Sequence, residues 1–210
     1  MNELGVDFGY VLYESEVLIA SEESVLKVEN IRDFAAVYLD NELQGAIADN
    51  HKQLRLKSMP GKYRLRLYVE NIGRITYGPE ILDNLKGVFG EIQLNEEIIK
   101  HWTLTELKVK SFDIKHLKFS DIGQHTTPGF YKATFLTRRP RDKYLDLSGW
   151  GMGEAWINGN YLGSFWEQEN QQSILIPAAL LRKGMNEIVV FELKNNQQKS
   201  FKFSDVPVFK

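Results

Sequence analysis

Val37-Tyr38-Leu39-Asp40-Asn41-Glu42-Leu43-Gln44-Gly45 lies without gaps over Ala155-Trp156-Ile157-Asn158-Gly159-Asn160-Tyr161-Leu162-Gly163, at an offset of 118 residues (37 to 155). Each stretch runs an apolar strand into a tight turn and out towards a glycine. Asp40-Asn41 and Asn158-Gly159 are residues that tolerate the backbone a tight reversal demands. A second pair follows in the same order: Pro60-Gly61-Lys62-Tyr63-Arg64-Leu65-Arg66-Leu67-Tyr68 resembles Lys183-Gly184-Met185-Asn186-Glu187-Ile188-Val189-Val190-Phe191, at an offset of 123 (61 to 184). Two matched elements at nearly equal offsets predict two copies of one domain. A solenoid is excluded, because its repeats run about 20–50 residues.

Outward from the repeat, the periodicity is mostly of two. Leu65–Val69, Ala155–Asn158, Ile174–Ile176 and Ile188–Phe191 are short runs rich in β-branched and aromatic residues, and they read as strands. The fold class expected is all-β, two tandem jelly-roll β-sandwich domains over residues 1–98 and 99–210. The boundary falls between Leu94 and Leu104, with the irregular stretch Ile114–Gly129 as a second candidate. A helix of about two turns is predicted over Pro177–Lys183, since proline suits a first helical position and Gly184 the residue past the end.

The 210 residues carry 26 basic and 28 acidic side chains, mixed along the chain, so no basic stripe gathers phosphates and nucleic acid is not an expected partner. No cysteine is present, which excludes a disulfide scaffold and cysteine-ligated zinc. The opening Met1-Asn2-Glu3-Leu4-Gly5-Val6-Asp7-Phe8 has acids where a signal peptide has basic residues, and no apolar run approaches the ~20 residues of a membrane span. As written, the chain reads as soluble and cytoplasmic with no membrane partner, and the compartment of any parent protein stays unknown.

No catalytic constellation emerges. A glycosidase needs two carboxyl groups about 5–9 Å apart, in many cases on a (β/α) barrel of ~250 residues that this chain cannot contain. Glu70, Glu154, Glu167, Glu187 and Glu192 read as solvent-facing strand residues. His51, His101, His116 and His125 are too scattered for a metal site, and no cofactor is implied. Gly149-Trp150-Gly151-Met152-Gly153 precedes a strand rather than a helix, so it reads as a strand bend and not a phosphate cradle. Trp150, Trp156, Tyr161, Phe165 and Trp166 cluster within 17 residues. Flat rings of this kind fill a core or pack on sugars. Trp156 matches Tyr38 in the repeat, which favours a structural role for that pair. Trp166, Trp150 and Tyr161 are the carbohydrate-binding candidates.

These motifs resemble a known family. Tyr68-Val69-Glu70-Asn71-Ile72-Gly73-Arg74-Ile75-Thr76-Tyr77-Gly78-Pro79 is similar to a signature of family thirty-five glycoside hydrolases, the β-galactosidases. Leu147–Gly153, Trp156–Gly159, Leu162-Gly163, Trp166, Gln171-Gln172 and Ile176-Pro177 resemble the same family's C-terminal signature, and Glu3–Tyr13 its segment after the catalytic barrel. The resemblance implies two galactose-binding-like jelly rolls without the barrel that carries both catalytic glutamates. It implies a catalytic (β/α) barrel as partner in cis or in trans, a galactoside or other glycan as ligand, and leaves a homo-oligomer open. Tyr77 is the position implied to border the sugar pocket, with Asn71 and Arg74 beside it as substrate-contact or barrel-facing residues. Arg74 and Asp83 are expected as an ion pair or turn lock. Thr76, Glu14 and Glu167-Gln168-Glu169-Asn170 depart from the family pattern. The function expected is a non-catalytic accessory region that braces the barrel and shapes its substrate mouth. The alternative is a free-standing carbohydrate-binding module using exposed aromatics.

Overall fold

A computed structural model describes residue 1 and residues 4–73, 76–83, 85–112, 114–120, 128–194 and 198–210. The chain divides into two compact units, Met1–Val109 and Lys110–Lys210. In the first, the strands in chain order are β1 (Gly9–Ile19), β2 (Glu23–Arg32), β3 (Phe34–Leu39), β4 (Glu42–Ala48), β5 (Gln53–Lys57), β6 (Gly61–Asn71), β7 (Gly87–Leu94), β8 (Glu97–Ile98) and β9 (Thr103–Leu107). They form two antiparallel sheets, ordered β4-β3-β6-β1-β9 and β5-β2-β7-β8. The alternation that marks a half-buried strand is clearest in β2, where Leu26 and Val28 turn inward and Lys27 outward. Val11, Val37 and Leu67 of the first sheet meet Leu26, Val28, Leu56 and Ile92 of the second in one core.

In the second unit the strands are β10 (Gly129–Thr137), β11 (Lys143–Asp146), β12 (Met152–Ile157), β13 (Asn160–Trp166), β14 (Ser173–Ile176), β15 (Gly184–Glu192) and β16 (Lys202–Ser204). Their sheets are ordered β10-β15-β12-β13 and β14-β11-β16. Ala155, Ile157, Ile188 and Val190 pack against Leu145, Ile176 and Trp150. Both units are antiparallel β-sandwiches.

The repeat is visible as shared register. Val37 pairs with Leu67 across β3–β6, and Ala155 with Val190 across β12–β15, which reproduces both offsets, 118 (37 to 155) and 123 (67 to 190). Each hairpin carries a β-bulge at the same place, between Val37 and Tyr38 and between Ala155 and Trp156. Asp40 and Asn158 both take φ +50°, and Gly45 and Gly163 both take φ +148°, a region where a side chain is strained. The copy reaches further than the two quoted motifs. Tyr13 pairs with Leu67 and Tyr131 with Val190, so β10 corresponds to β1 at the offset 118 (13 to 131).

Two local features differ from the sequence reading. Residues 99–109 lie in the first unit, because β9 joins its sheet by pairing with β1 from Glu14–Thr103 to Tyr10–Leu107. The helix expected over Pro177–Lys183 is only a 3-10 turn, Ala178–Leu180. Leu181 is extended (φ −92°, ψ 147°), and the next residue's N–H is taken by the Asn186 side chain, so the turn does not propagate.

Candidate functional site

In the first unit, the segment before β1 and the loop between β6 and β7 leave the sheet at one end, where Gly9 pairs with Asn71. Asn71 is fully buried. Its amide donates to the carbonyls of Asp7 (2.7 Å) and Val6 (3.4 Å), and its oxygen accepts the Gly73 N–H (3.1 Å). The side chain ties the N-terminal segment to the loop and leaves no face for a ligand. Asp33 closes the loop base. One carboxylate oxygen accepts the Ile72 N–H at 3.0 Å, and the buried Lys86 ammonium reaches both oxygens at 2.7 Å. Arg32 holds Asp83 through its carbonyl (2.6 Å) and its carboxylate (3.3 Å), so Asp83 is a turn lock with Arg32 as its partner. Arg74 lies outside the described residues.

On this clamped loop Tyr77 is 92% exposed and Leu82 95% exposed, with Ile72 and Leu85 about half exposed and Phe8 more so on the adjoining segment. Large apolar side chains left in water beside residues held by charge-assisted hydrogen bonds form an apolar surface open to a partner. Glu14, where the family pattern has arginine, is bound by Arg66 at 3.0 Å.

In the second unit the aromatic cluster is mostly core. Trp150 is 3% exposed, stacked on Phe201 (centroids 4.9 Å apart, planes 6° apart) and edge-on to Tyr131. It has no face open to a sugar, which removes it from the carbohydrate candidates. Trp156 and its counterpart Tyr38 are both buried, Trp156 against Phe130 and Tyr161. Tyr161 is partly exposed, with its hydroxyl donated to Glu154 at 2.6 Å. Trp166 is half-buried at the end of β13.

Three of the acids read as solvent-facing are buried: Glu70, Glu154 and Glu192. Period-two alternation misplaces them, because β12 is buried along its whole length, β15 from Ile188 onward and β6 over its last three residues. Glu154 accepts from Tyr161, from Ser164 (2.9 Å) and from Lys110 (3.2 Å). Glu192 accepts the backbone N–H groups of Gly151 (2.9 Å), Met152 (3.1 Å) and Lys194 (2.8 Å). The glycine-rich stretch is thus a backbone wrap around a buried carboxylate. Among the described residues no three His, Cys, Asp or Glu side chains gather as a metal-ion set, and no helix is long and apolar enough to cross a membrane.

Burial pushes three tyrosine hydroxyls above the usual value of 10.0. For Tyr13 burial outweighs a hydrogen bond from the Val88 N–H. For Tyr68 it is joined by Glu14 and opposed by Arg66, and for Tyr131 it is joined by Glu192. A raised folded-state pKa means the proton leaves the unfolded chain first. This contribution to stability is therefore intact below pH ~10 and is lost as pH rises through the folded-state values. An alkaline titration followed by tyrosinate absorbance is expected to show a late set of tyrosines, with the urea midpoint falling over the same range. Titration of all tyrosines together near pH ~10, with no fall in midpoint, would contradict this.

The family model described as "Beta-galactosidase, first all-beta domain" matches residues 1–108, and that described as "Beta-galactosidase, galactose-binding domain" matches residues 128–186. The human protein "Beta-galactosidase-1-like protein 2" is 30% identical over 90% of this chain, which covers 30% of that protein. Human "Beta-galactosidase-1-like protein 3" is 29% identical over 91% of the chain and 29% of its own length. "Beta-galactosidase 17" of Arabidopsis thaliana is 27% identical over 93% of the chain and 32% of its own length. The chain thus spans about a third of the length of the curated relatives it matches. It belongs to the β-galactosidase family, whose first all-β domain and galactose-binding domain it carries in that order.

Proposed function

We propose that this chain is the non-catalytic β-sandwich part of a β-galactosidase, and that its first unit braces the catalytic (β/α) barrel and shapes the mouth of the substrate pocket. The observation that carries this reading is the clamped loop between β6 and β7, which holds Tyr77 and Leu82 out in water. Tyr77 borders the sugar, and Leu82, Leu85 and Phe8 cover apolar surface on the barrel. The buried acids support a supporting rather than hydrolytic role, since Glu154 and Glu192 are engaged by ammonium, hydroxyl and backbone donors of their own unit.

The test is reconstitution with a catalytic barrel of this family. The chain alone is expected to release no nitrophenol from a nitrophenyl β-galactoside above a heat-inactivated control, and to co-elute with the barrel. Leu82→Asp is expected to weaken that complex at least tenfold, about 1.4 kcal/mol. Tyr77→Ala is expected to leave the complex intact and raise KM. Hydrolysis by the chain alone, or no complex at all, would overturn the reading.

A further inference from the structure

A second polar site lies on the first unit, on the outer face of its five-stranded sheet and away from the loop that carries Tyr77. A cavity of about 390 Å³ is lined by Glu16, Asp40, Asn41, Lys62, Tyr63, Arg64 and Arg66. That volume falls in the range of small-molecule sites, about 300–1,000 Å³. Lys62, Arg64 and Arg66 alternate along β6, so all three side chains project to one side of the sheet. They meet the β3–β4 turn there.

The cations are in different states. Arg66 is fixed: its Nε donates to Glu14 at 3.0 Å, and its Nη1 donates to the Asp40 carbonyl at 2.8 Å and to Asn41 Oδ1 at 3.0 Å. Asp40 is also committed, through Oδ1 to the Arg64 N–H at 2.9 Å. Neither the Lys62 ammonium nor the Arg64 guanidinium meets a carboxylate among the described residues. Glu16 stands opposite Arg64 in the β1–β6 register and forms no ion pair with it. The cavity therefore has a floor held by internal hydrogen bonds and, on its wall, two cations without an ion-pair partner among the described residues.

The duplicated unit shows that the fold does not require this arrangement. At the offset of 123, Lys62, Arg64 and Arg66 correspond to Met185, Glu187 and Val189. Lys132, at the position of Glu14, there neutralises Glu187 at 3.2 Å. One backbone frame thus carries a charge-paired, partly apolar face in one copy and, in the other, a polar cavity of three cations and two carboxylates in which Lys62 and Arg64 have no ion-pair partner among the described residues.

The geometry points to a saccharide site for an acidic sugar, a hexuronate residue of a glycan. Its carboxylate is taken by the planar fork of Arg64 with Lys62 alongside, and its hydroxyls by Asn41 and Glu16. A guanidinium gives the paired, coplanar N–H bonds that a carboxylate accepts. A free acid group and one covalently part of a sugar share that chemistry, so the test separates them.

The experiment is an amide and arginine Nε–H chemical-shift titration of the whole chain with galacturonate, with galactose and acetate as parallel arms. Galacturonate is expected to give saturable shifts at Asn41, Arg64 and Arg66, weakened by added salt. Galactose and acetate are expected to bind these positions at least tenfold more weakly. Arg64→Ala and Lys62→Ala, both exposed, are expected to lower galacturonate affinity about tenfold each while leaving the thermal midpoint unchanged. The absence of saturable shifts at tens of millimolar galacturonate would overturn the assignment. So would equal binding of galactose or acetate, or unaltered affinity in both variants.

Discussion

Replacing Gly153 by alanine is expected to cost the second unit more than about 4 kcal/mol, in the range where a single change prevents folding. A Cβ built there stands 1.8 Å from the Phe191 carbonyl oxygen and 2.8 Å from its carbon, both main-chain atoms of the neighbouring strand. A flexible side chain could swing away from such a contact. A strand in the middle of a paired sheet cannot, because moving β15 away from β12 strips the ladder from Gly153–Glu192 to Ile157–Ile188. Urea unfolding followed by tryptophan emission measures the loss. A change below about 1 kcal/mol would show that β12 and β15 approach less closely than described.

The second large effect is expected at Glu192→Ala, about 3–5 kcal/mol. The carboxylate is fully buried and accepts three backbone N–H groups, two of them buried as well. Removing it leaves donors that water cannot reach, each costing about 1–3 kcal/mol, and adds a cavity to that cost. Glu192→Gln keeps one acceptor oxygen and turns an amide N–H₂ towards other donors, so it falls between wild type and alanine. If both variants unfold at the wild-type urea midpoint, the backbone wrap contributes nothing. Gly153 and Glu192 face each other in the register, so their effects will not add.

How far the sequence could be read depended on what each position must do. The hairpins were legible because their turns demand special residues: Asp40 and Asn158 at positive φ, and Gly45 and Gly163 where only glycine is unstrained. The correspondence of β1 with β10 was not, because a strand inside a sheet asks only for suitable alternation, and Tyr13 over Tyr131 is too slight an identity to see unaided. The proline and glycine bracketing residues 177–184 signalled a two-turn helix where the structure has only a 3-10 turn, since Asn186 competes for the backbone. At the candidate site, Tyr77 is exposed, whereas Asn71 within the same motif serves the chain's own backbone. The roles of Asp33 and Lys86 were hidden because their partnership spans 53 residues and no local pattern records it. Glu154 and Glu192 were hidden differently: a carboxylate in a strand looks solvent-facing until both faces of that strand prove to be covered. The alternation of Lys62, Arg64 and Arg66 was in plain view, but its meaning required the cavity and the contrasting copy.

The paired bulges have a further consequence. β4 and β13, the strands on one side of each bulge, stand at the ends of their sheet orders and so present a row of backbone groups to the outside. An intact row of that kind is a template on which a foreign strand can add and the sheet can grow into a fibre. The bulge inserts an extra residue midway along each hairpin, twists the outer strand and breaks the row. An incoming strand would lose register within a few residues. By copying the hairpin together with its defect, the protein guards both of these outer strands against aggregation with the same device.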